Sequence, residues 1–349
     1  MPSRARAHVF RVLLLTAALT GSAWLAATAS GAVAGVPRPP RPPEQPAAGP
    51  GGAGFAYEGV SGTRTGRPPL GYWTFEPTRL RLDETVRDEA LPVVVFLHGF
   101  TAVDPTIYRG WIDHIVRRGA IVIYPDYQDL NPFGDDWTTY EANAMAAVRA
   151  AMADLEARGA RPDHDRVAVV GHSLGGVLAA NYAATTAATA LPVPAVLMVV
   201  QPGGCGGCEP LPEGEGVPLA DLGTVWAETL ALVVVGDDDE VVGDAGAKRI
   251  WFDLDGVPLD RRDYVTLVSD QRGLPFLRAT HFLPQTAGFR SAVDALDWFG
   301  TWKLLDLLTD CAFAGRGCGT ALNGSAIQRD MGVWSDGEPV RPATVTDAP

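Results

Sequence analysis

Lysine is almost missing from this 349-residue chain: Lys248 and Lys303 are the only two, and the formal net charge is −13. Phosphate binding needs a basic patch, so a nucleic-acid partner is disfavoured. The acidity suits a soluble protein and a neutral or cationic substrate, without choosing among them. After residue 34 no apolar run is long enough to cross a bilayer. No internal repeat is visible, which sets aside solenoids and propellers. Cysteine and histidine are also scarce, at four and six. That scarcity sharpens the search for chemistry, because few residues can compete for each role.

The one strongly apolar stretch is N-terminal. Arg4, Arg6 and Arg11 precede Val12–Leu19, and Ala32-Val33-Ala34 has the small-residue pattern of a cleavage site, with Ala27-Thr28-Ala29 as an alternative. Residues 1–34 therefore read as a secretory signal and predict a secreted, extracellular protein. The uncharged Val12–Ala34 could also span a membrane, so an uncleaved N-terminal anchor is the alternative. Otherwise no stable membrane insertion is expected, and loss of the three leader arginines takes the charge to −16. Residues 35–54, centred on Pro39-Pro40-Arg41-Pro42-Pro43, have the composition of a semi-rigid linker. Residues 55–349 are left as a single domain, with 322–349 read as an irregular tail.

Within that domain, Gly171-His172-Ser173-Leu174-Gly175 lies between the apolar Val167–Val170 and the small-residue run Val177–Ala180. A buried strand, a sharp turn and then a helix lift a serine hydroxyl onto an exposed corner above a sheet. The glycines let strand and helix pass closely, and the helix N-terminus offers an unpaired N–H to a developing oxyanion. Ser173 is thus the candidate nucleophile.

Such a serine needs a base, an acid to orient it and a second oxyanion donor. His8, His98, His114, His164 and His172 all precede Ser173, and His281 alone follows it. In the chain order serine, acid, histidine, the base is His281. The acid should follow the apolar run Ala231–Val235, where Gly236-Asp237-Asp238-Asp239 stands. Asp239 has the usual Gly-x-x-Asp-x-x-Val spacing, while Asp237 and Asp238 remain contenders. An earlier apolar run, Leu91–Leu97, ends in His98-Gly99-Phe100. Gly99 permits a turn that aims the Phe100 N–H at the site beside that of Leu174. His98 reads as a loop organiser and His172 as packing.

Taken in order from Leu91 to His281, these segments resemble the α/β-hydrolase family. The bulky residue after Gly99 and the His281-Phe282 pair are similar to its secreted esterase, lipase and cutinase-like branch. The resemblance implies a carboxylic-ester hydrolase working through Ser173, Asp239 and His281, on a small-molecule, lipid or polymer ester, as a monomer. It requires no cofactor and no metal. No family-specific lid can be matched, Gly203–Gly216 is peculiar to this chain, and the substrate does not carry over. A peptidase or acyltransferase with the same triad, or a binding protein on the same fold, are the alternatives.

The frame agrees. Ile107–Arg118 has helical spacing and stops at Gly119; Ala120–Tyr124 and Ala195–Val200 read as strands. Val293, Leu296, Gly300, Leu304 and Leu307 stripe a last helix. Strands alternating with helices predict an α/β fold, a mostly parallel central sheet covered by helices on both faces. Tyr127–Trp137 and Gly203–Gly223 are the loops placed to shape a pocket. The close pairs Cys205/Cys208 and Cys311/Cys318 suggest two local disulfides in an exported protein. A redox C-x-x-C or a zinc site at Cys205-Gly206-Gly207-Cys208 is the other reading, against which two glycines and flanking prolines favour a loop.

Overall fold

The structure, a computed structural model, describes residues 38–80, 90–208, 215–288 and 291–349. The expected signal at 1–34 lies outside the described residues. Among those described, no helix is long and apolar enough to cross a membrane.

The alternating apolar runs build β1 (Tyr57–Thr65), β2 (Tyr72–Leu80), β3 (Leu91–Leu97), α1 (Arg109–Arg118), β4 (Ile121–Pro125), α2 (Tyr140–Ala157), β5 (Pro162–His172), α3 (Leu174–Thr189), β6 (Val196–Val200), β7 (Leu230–Gly236), α4 (Ala245–Asp253) and β8 (Arg262–Leu267). α5 (Trp302–Ala314), α6 (Cys318–Ala321), α7 (Ala326–Arg329) and β9 (Thr344–Thr346) follow. Among the described residues the nine strands lie in the order β1-β2-β4-β3-β5-β6-β7-β8-β9. β3 to β8 are parallel, and the antiparallel β2 and β9 join their two outer members. The expected mostly parallel sheet is present.

Every residue of β4 and β6 is buried, as strands covered on both faces require. Alternate side chains serve opposite layers. Val95, Val169 and Val199 pack with Val148 of α2, Leu178 of α3 and Trp251 of α4. Phe96, Val170 and Val200 pack with Trp111 of α1 and Leu304 and Leu308 of α5. Each such side chain contributes roughly 1.5–3 kcal/mol by leaving water. α1 stops at Gly119, whose φ of 113° suits glycine alone.

Three expectations need correction. Of the segment 35–54, expected as a semi-rigid linker, residues 35–37 lie outside the described residues, and 39–54 are bonded to the body rather than spacing it. The Gly51 N–H donates to a buried Asp306 carboxylate at 2.7 Å, Leu274 N–H donates to the Pro40 carbonyl, and Arg41 exchanges hydrogen bonds with Ser335. Extended proline-rich backbone cannot pair with itself, and here it finds partners on the body instead. Residues 322–349 are no irregular tail either. They supply α7 and β9, bury Trp334 and Val340, and place the Trp334 indole N–H on Asp270 at 3.0 Å. Finally, the expected last helix is followed by α6 and α7, and Val293 lies ahead of it rather than on it. Residues Asp297–Thr301 form a wide π turn broken at Gly300 (φ −97°, ψ −105°), so the regular stripe begins only with α5.

Cys205 is bonded to Cys208 and Cys311 to Cys318. The second bond joins the end of α5 to α6, and neither pair has a thiolate left for a metal.

Candidate active site

The order of the sheet reverses at β3, which pairs with β4 on one side and β5 on the other. Loops leaving adjacent strands there diverge and open a crevice. The register pairs Leu97 with Gly171, so the loop after β3 lies against the turn after β5. That turn is strained: Ser173 has φ 57° and ψ −123°. It is held by the Ser173 N–H on the Val200 carbonyl at 3.0 Å. A Cβ on Gly171 would overlap the Gly175 carbonyl, and one on Gly175 would overlap that of Leu97. Only glycine fits at either end of the motif.

His281 follows β8 on a loop that returns over the crevice. Its Nε2 lies 3.0 Å from Ser173 Oγ, and its Nδ1 lies 2.8 Å from Asp239 Oδ2. Ser173 and His281 retain 9% and 5% exposure. A carboxylate only accepts, so Nδ1 carries the proton and Nε2 is free to accept from the serine hydroxyl. Asp239 Oδ1 accepts the N–H groups of Val241 (2.9 Å) and Val242 (3.1 Å), which fixes the carboxylate. The neighbouring aspartates turn elsewhere. Asp237 accepts from Ser269, and Asp238 pairs with Arg278 at 2.6 Å. Asp239 is the one brought to the histidine.

On the other side, a Cβ built on Gly99 would lie 3.4 Å from Ser173 Cβ. Thr101 N–H donates to Gln128 and Ala102 N–H to the Gly99 carbonyl. The Phe100 N–H just before them has no partner among the described residues. The Leu174 N–H opens α3 and has no intrahelical acceptor. Both groups expected to face an oxyanion are therefore uncommitted.

His98 is fully buried between Tyr127 (ring centroids 4.2 Å) and Tyr124 (5.1 Å). Burial lowers its pKa to about 4, so it organises the loop as a neutral ring. His172 corrects its reading as packing: Nδ1 meets the Tyr108 hydroxyl at 2.8 Å and Nε2 meets the His281 carbonyl at 2.9 Å. Gln201 was legible only as a polar residue closing an apolar strand. It is buried at φ 46° and donates to the Thr280 carbonyl at 2.8 Å.

Of the loops expected to shape a pocket, Phe133 and Trp137 pack on Phe100 at 5.5 and 5.1 Å. Gly204 passes beneath Trp137 and Leu174. Tyr127 instead lies in the core with His98. Beyond His281, Val241, Phe276, Arg278, Phe282 and Leu283 line a cavity of about 790 Å³.

Over residues 74–211 the chain matches the family model described as chlorophyllase. That stretch spans the loop after β3 and the serine turn, and ends before Asp239. Among solved structures it is similar to a fungal esterase from Rhizomucor miehei, at 15% identity and TM-score 0.53, covering 75% of this chain and 87% of that one. It is also similar to carboxyl esterase 2 from the mycorrhizal fungus Tuber melanosporum, at 21% identity and TM-score 0.43, covering 61% and 79%. No curated protein matches the chain.

Proposed function

We propose that this chain, which has the α/β-hydrolase fold, is a secreted serine hydrolase of carboxylic esters. The observation that carries the reading is the His281 imidazole, 3.0 Å from the Ser173 hydroxyl and 2.8 Å from Asp239. Ser173 Oγ attacks the ester carbonyl carbon as its proton passes to His281 Nε2. The negative charge on the carbonyl oxygen is taken up by the Phe100 and Leu174 N–H groups, each such donor being worth about 10²–10³ in rate. Asp239 stabilises the imidazolium. The imidazolium returns its proton to the leaving alcohol, and an acyl group remains on Ser173. Water, deprotonated by His281, then releases the acid. The similarity to esterases supports the ester bond as the target. The two disulfides suit an exported protein.

A fluorophosphonate probe tests the nucleophile. It should label one residue, Ser173, by peptide mapping. Ser173→Ala should abolish labelling and lower hydrolysis of p-nitrophenyl butyrate at least 10⁴-fold, with an unchanged melting temperature. Activity within tenfold of wild type in Ser173→Ala would falsify the assignment. A matched p-nitroanilide, expected to be cleaved far more slowly, reads out the ester preference.

A further inference from the structure

We propose that Tyr108 and His172 are positioning residues that tie the oxyanion-side loop to the loop of the base through one directed chain of hydrogen bonds. The inference rests on the hydrolase reading above and adds to it two buried groups that the reaction itself leaves unused.

The direction of the chain follows from its two ends. The His281 carbonyl can only accept, so His172 Nε2, 2.9 Å away, carries a proton. Burial and the nearby His281 hold the pKa of His172 well below its ordinary value. The ring is neutral, and Nδ1 must accept. Its partner at 2.8 Å, the Tyr108 hydroxyl, is therefore the donor. The oxygen of that hydroxyl is left to accept the Gly99 N–H at 3.0 Å. Donors point the same way throughout, from Gly99 through Tyr108 and His172 to His281. Bonds aligned in this way polarise one another.

The far end of the chain belongs to a wider cradle. Three consecutive carbonyls of the base loop are each held from a different strand end. Ala279 accepts from the Asp238 N–H (3.2 Å), Thr280 from Gln201 (2.8 Å) and His281 from His172 (2.9 Å). The imidazole must meet both Ser173 and Asp239, and its own backbone carbonyl is the nearest place to anchor it. A displacement of about 1 Å at such a site can cost about 10² in rate. The near end bears on Gly99, whose conformation sets where the Phe100 N–H points. A Cβ on Gly99 would lie 3.1 Å from the Tyr108 oxygen and 3.3 Å from His172 Nδ1, so there is no slack between these groups. When His281 gains its proton, the neutral His172, its ring centroid 4.8 Å away, adds no second charge.

The test uses p-nitrophenyl butyrate, with functional serines counted by fluorophosphonate labelling carried to completion. Wild type comes first: if Ser173 is not labelled, the hydrolase reading fails before any variant is made. Tyr108→Phe and His172→Leu should each lower kcat per labelled serine by about 10- to 100-fold, with KM within threefold. The double variant should be no more than threefold worse than His172→Leu, because a chain broken once is already broken. His172→Gln, whose amide offers a donor and an acceptor, should regain at least tenfold over His172→Leu. If both single variants keep kcat per labelled serine within twofold of wild type, with only the melting temperature lowered, the groups are structural and the proposal is overturned. Losses that multiply in the double variant overturn it too. If His172→Leu does not fold, Tyr108→Phe removes a single oxygen and decides the matter by the same kcat criterion.

Discussion

Asp239→Asn should be the most informative substitution in the acidic loop, because the surrounding hydrogen bonds leave the amide no good orientation. Asp239 Oδ1 accepts two backbone N–H groups, at 2.9 and 3.1 Å, while Oδ2 accepts from His281 at 2.8 Å. If the asparagine oxygen keeps the two backbone donors, its NH₂ faces His281 Nδ1. The histidine must then move its proton to Nε2, where it can no longer take one from Ser173. That wrong tautomer costs about 10⁴ in kcat in a serine protease, or about 5.4 kcal/mol at 1.36 per tenfold. If the amide flips instead, its NH₂ confronts both backbone donors at a side chain only 1% exposed. Each buried polar group left unpaired costs about 1–3 kcal/mol, so the competent orientation is itself rare. The expected loss is therefore about 10³- to 10⁴-fold in kcat/KM. Asp238→Asn loses only the pair with Arg278, whose side chains are 27% and 55% exposed, worth about 0–1 kcal/mol of stability. It should stay within about threefold of wild type. The assay is kcat/KM on p-nitrophenyl butyrate with purified protein of matched circular dichroism. An Asp239→Asn enzyme within tenfold of wild type, or a more severe Asp238→Asn, refutes the reasoning.

Three further outcomes follow from other parts of the fold. Asp306 is buried and serves His114, Arg118 and the Gly51 N–H together; Asp306→Ala should lower stability by about 3 kcal/mol or more in urea unfolding, and a loss under 1 kcal/mol would mean that the 39–54 strap is not anchored there. Replacing both Cys311 and Cys318 by serine frees a loop of sequence separation 7 and should cost about 2.4 kcal/mol by chain entropy; unreacted thiols in the wild-type protein would contradict the bond itself. Burial raises Asp294 to about 6 and Asp297 well above the carboxylate range. The native state therefore holds more protons than the unfolded chain above about pH 4, and the stability from these groups is lost as pH rises through 6 and beyond. Asp297→Asn should accordingly gain melting temperature relative to wild type from pH 5 to pH 8, and a gap that stays constant or narrows would show that these carboxyls do not titrate as described.

The parts of this protein written in its sequence are those governed by neighbours along the chain. Apolar runs alternating with helical stripes specify strands and helices through the two side-chain periodicities. Gly171 and Gly175 are legible because a strand turning sharply into a helix leaves no room for a Cβ. His281 is legible because no other histidine follows Ser173. Which of three adjacent aspartates meets that histidine could be read only as a spacing preference. It is settled in space by two backbone N–H groups on one side of Asp239 and by Ser269 and Arg278 drawing the other two away. His172 and Gln201 gave no sequence signal for the backbone carbonyls they hold, 109 and 79 residues further on. The Pro-rich 39–54 strap and the β9 tail were misread for the same reason: polar, irregular composition says that a segment cannot build its own core, but not that another surface will accept its backbone. Local sterics and periodicity act over a few residues and are visible in order of sequence. Hydrogen-bond partners are chosen by sheet register and loop return, which exist only once distant strands have paired.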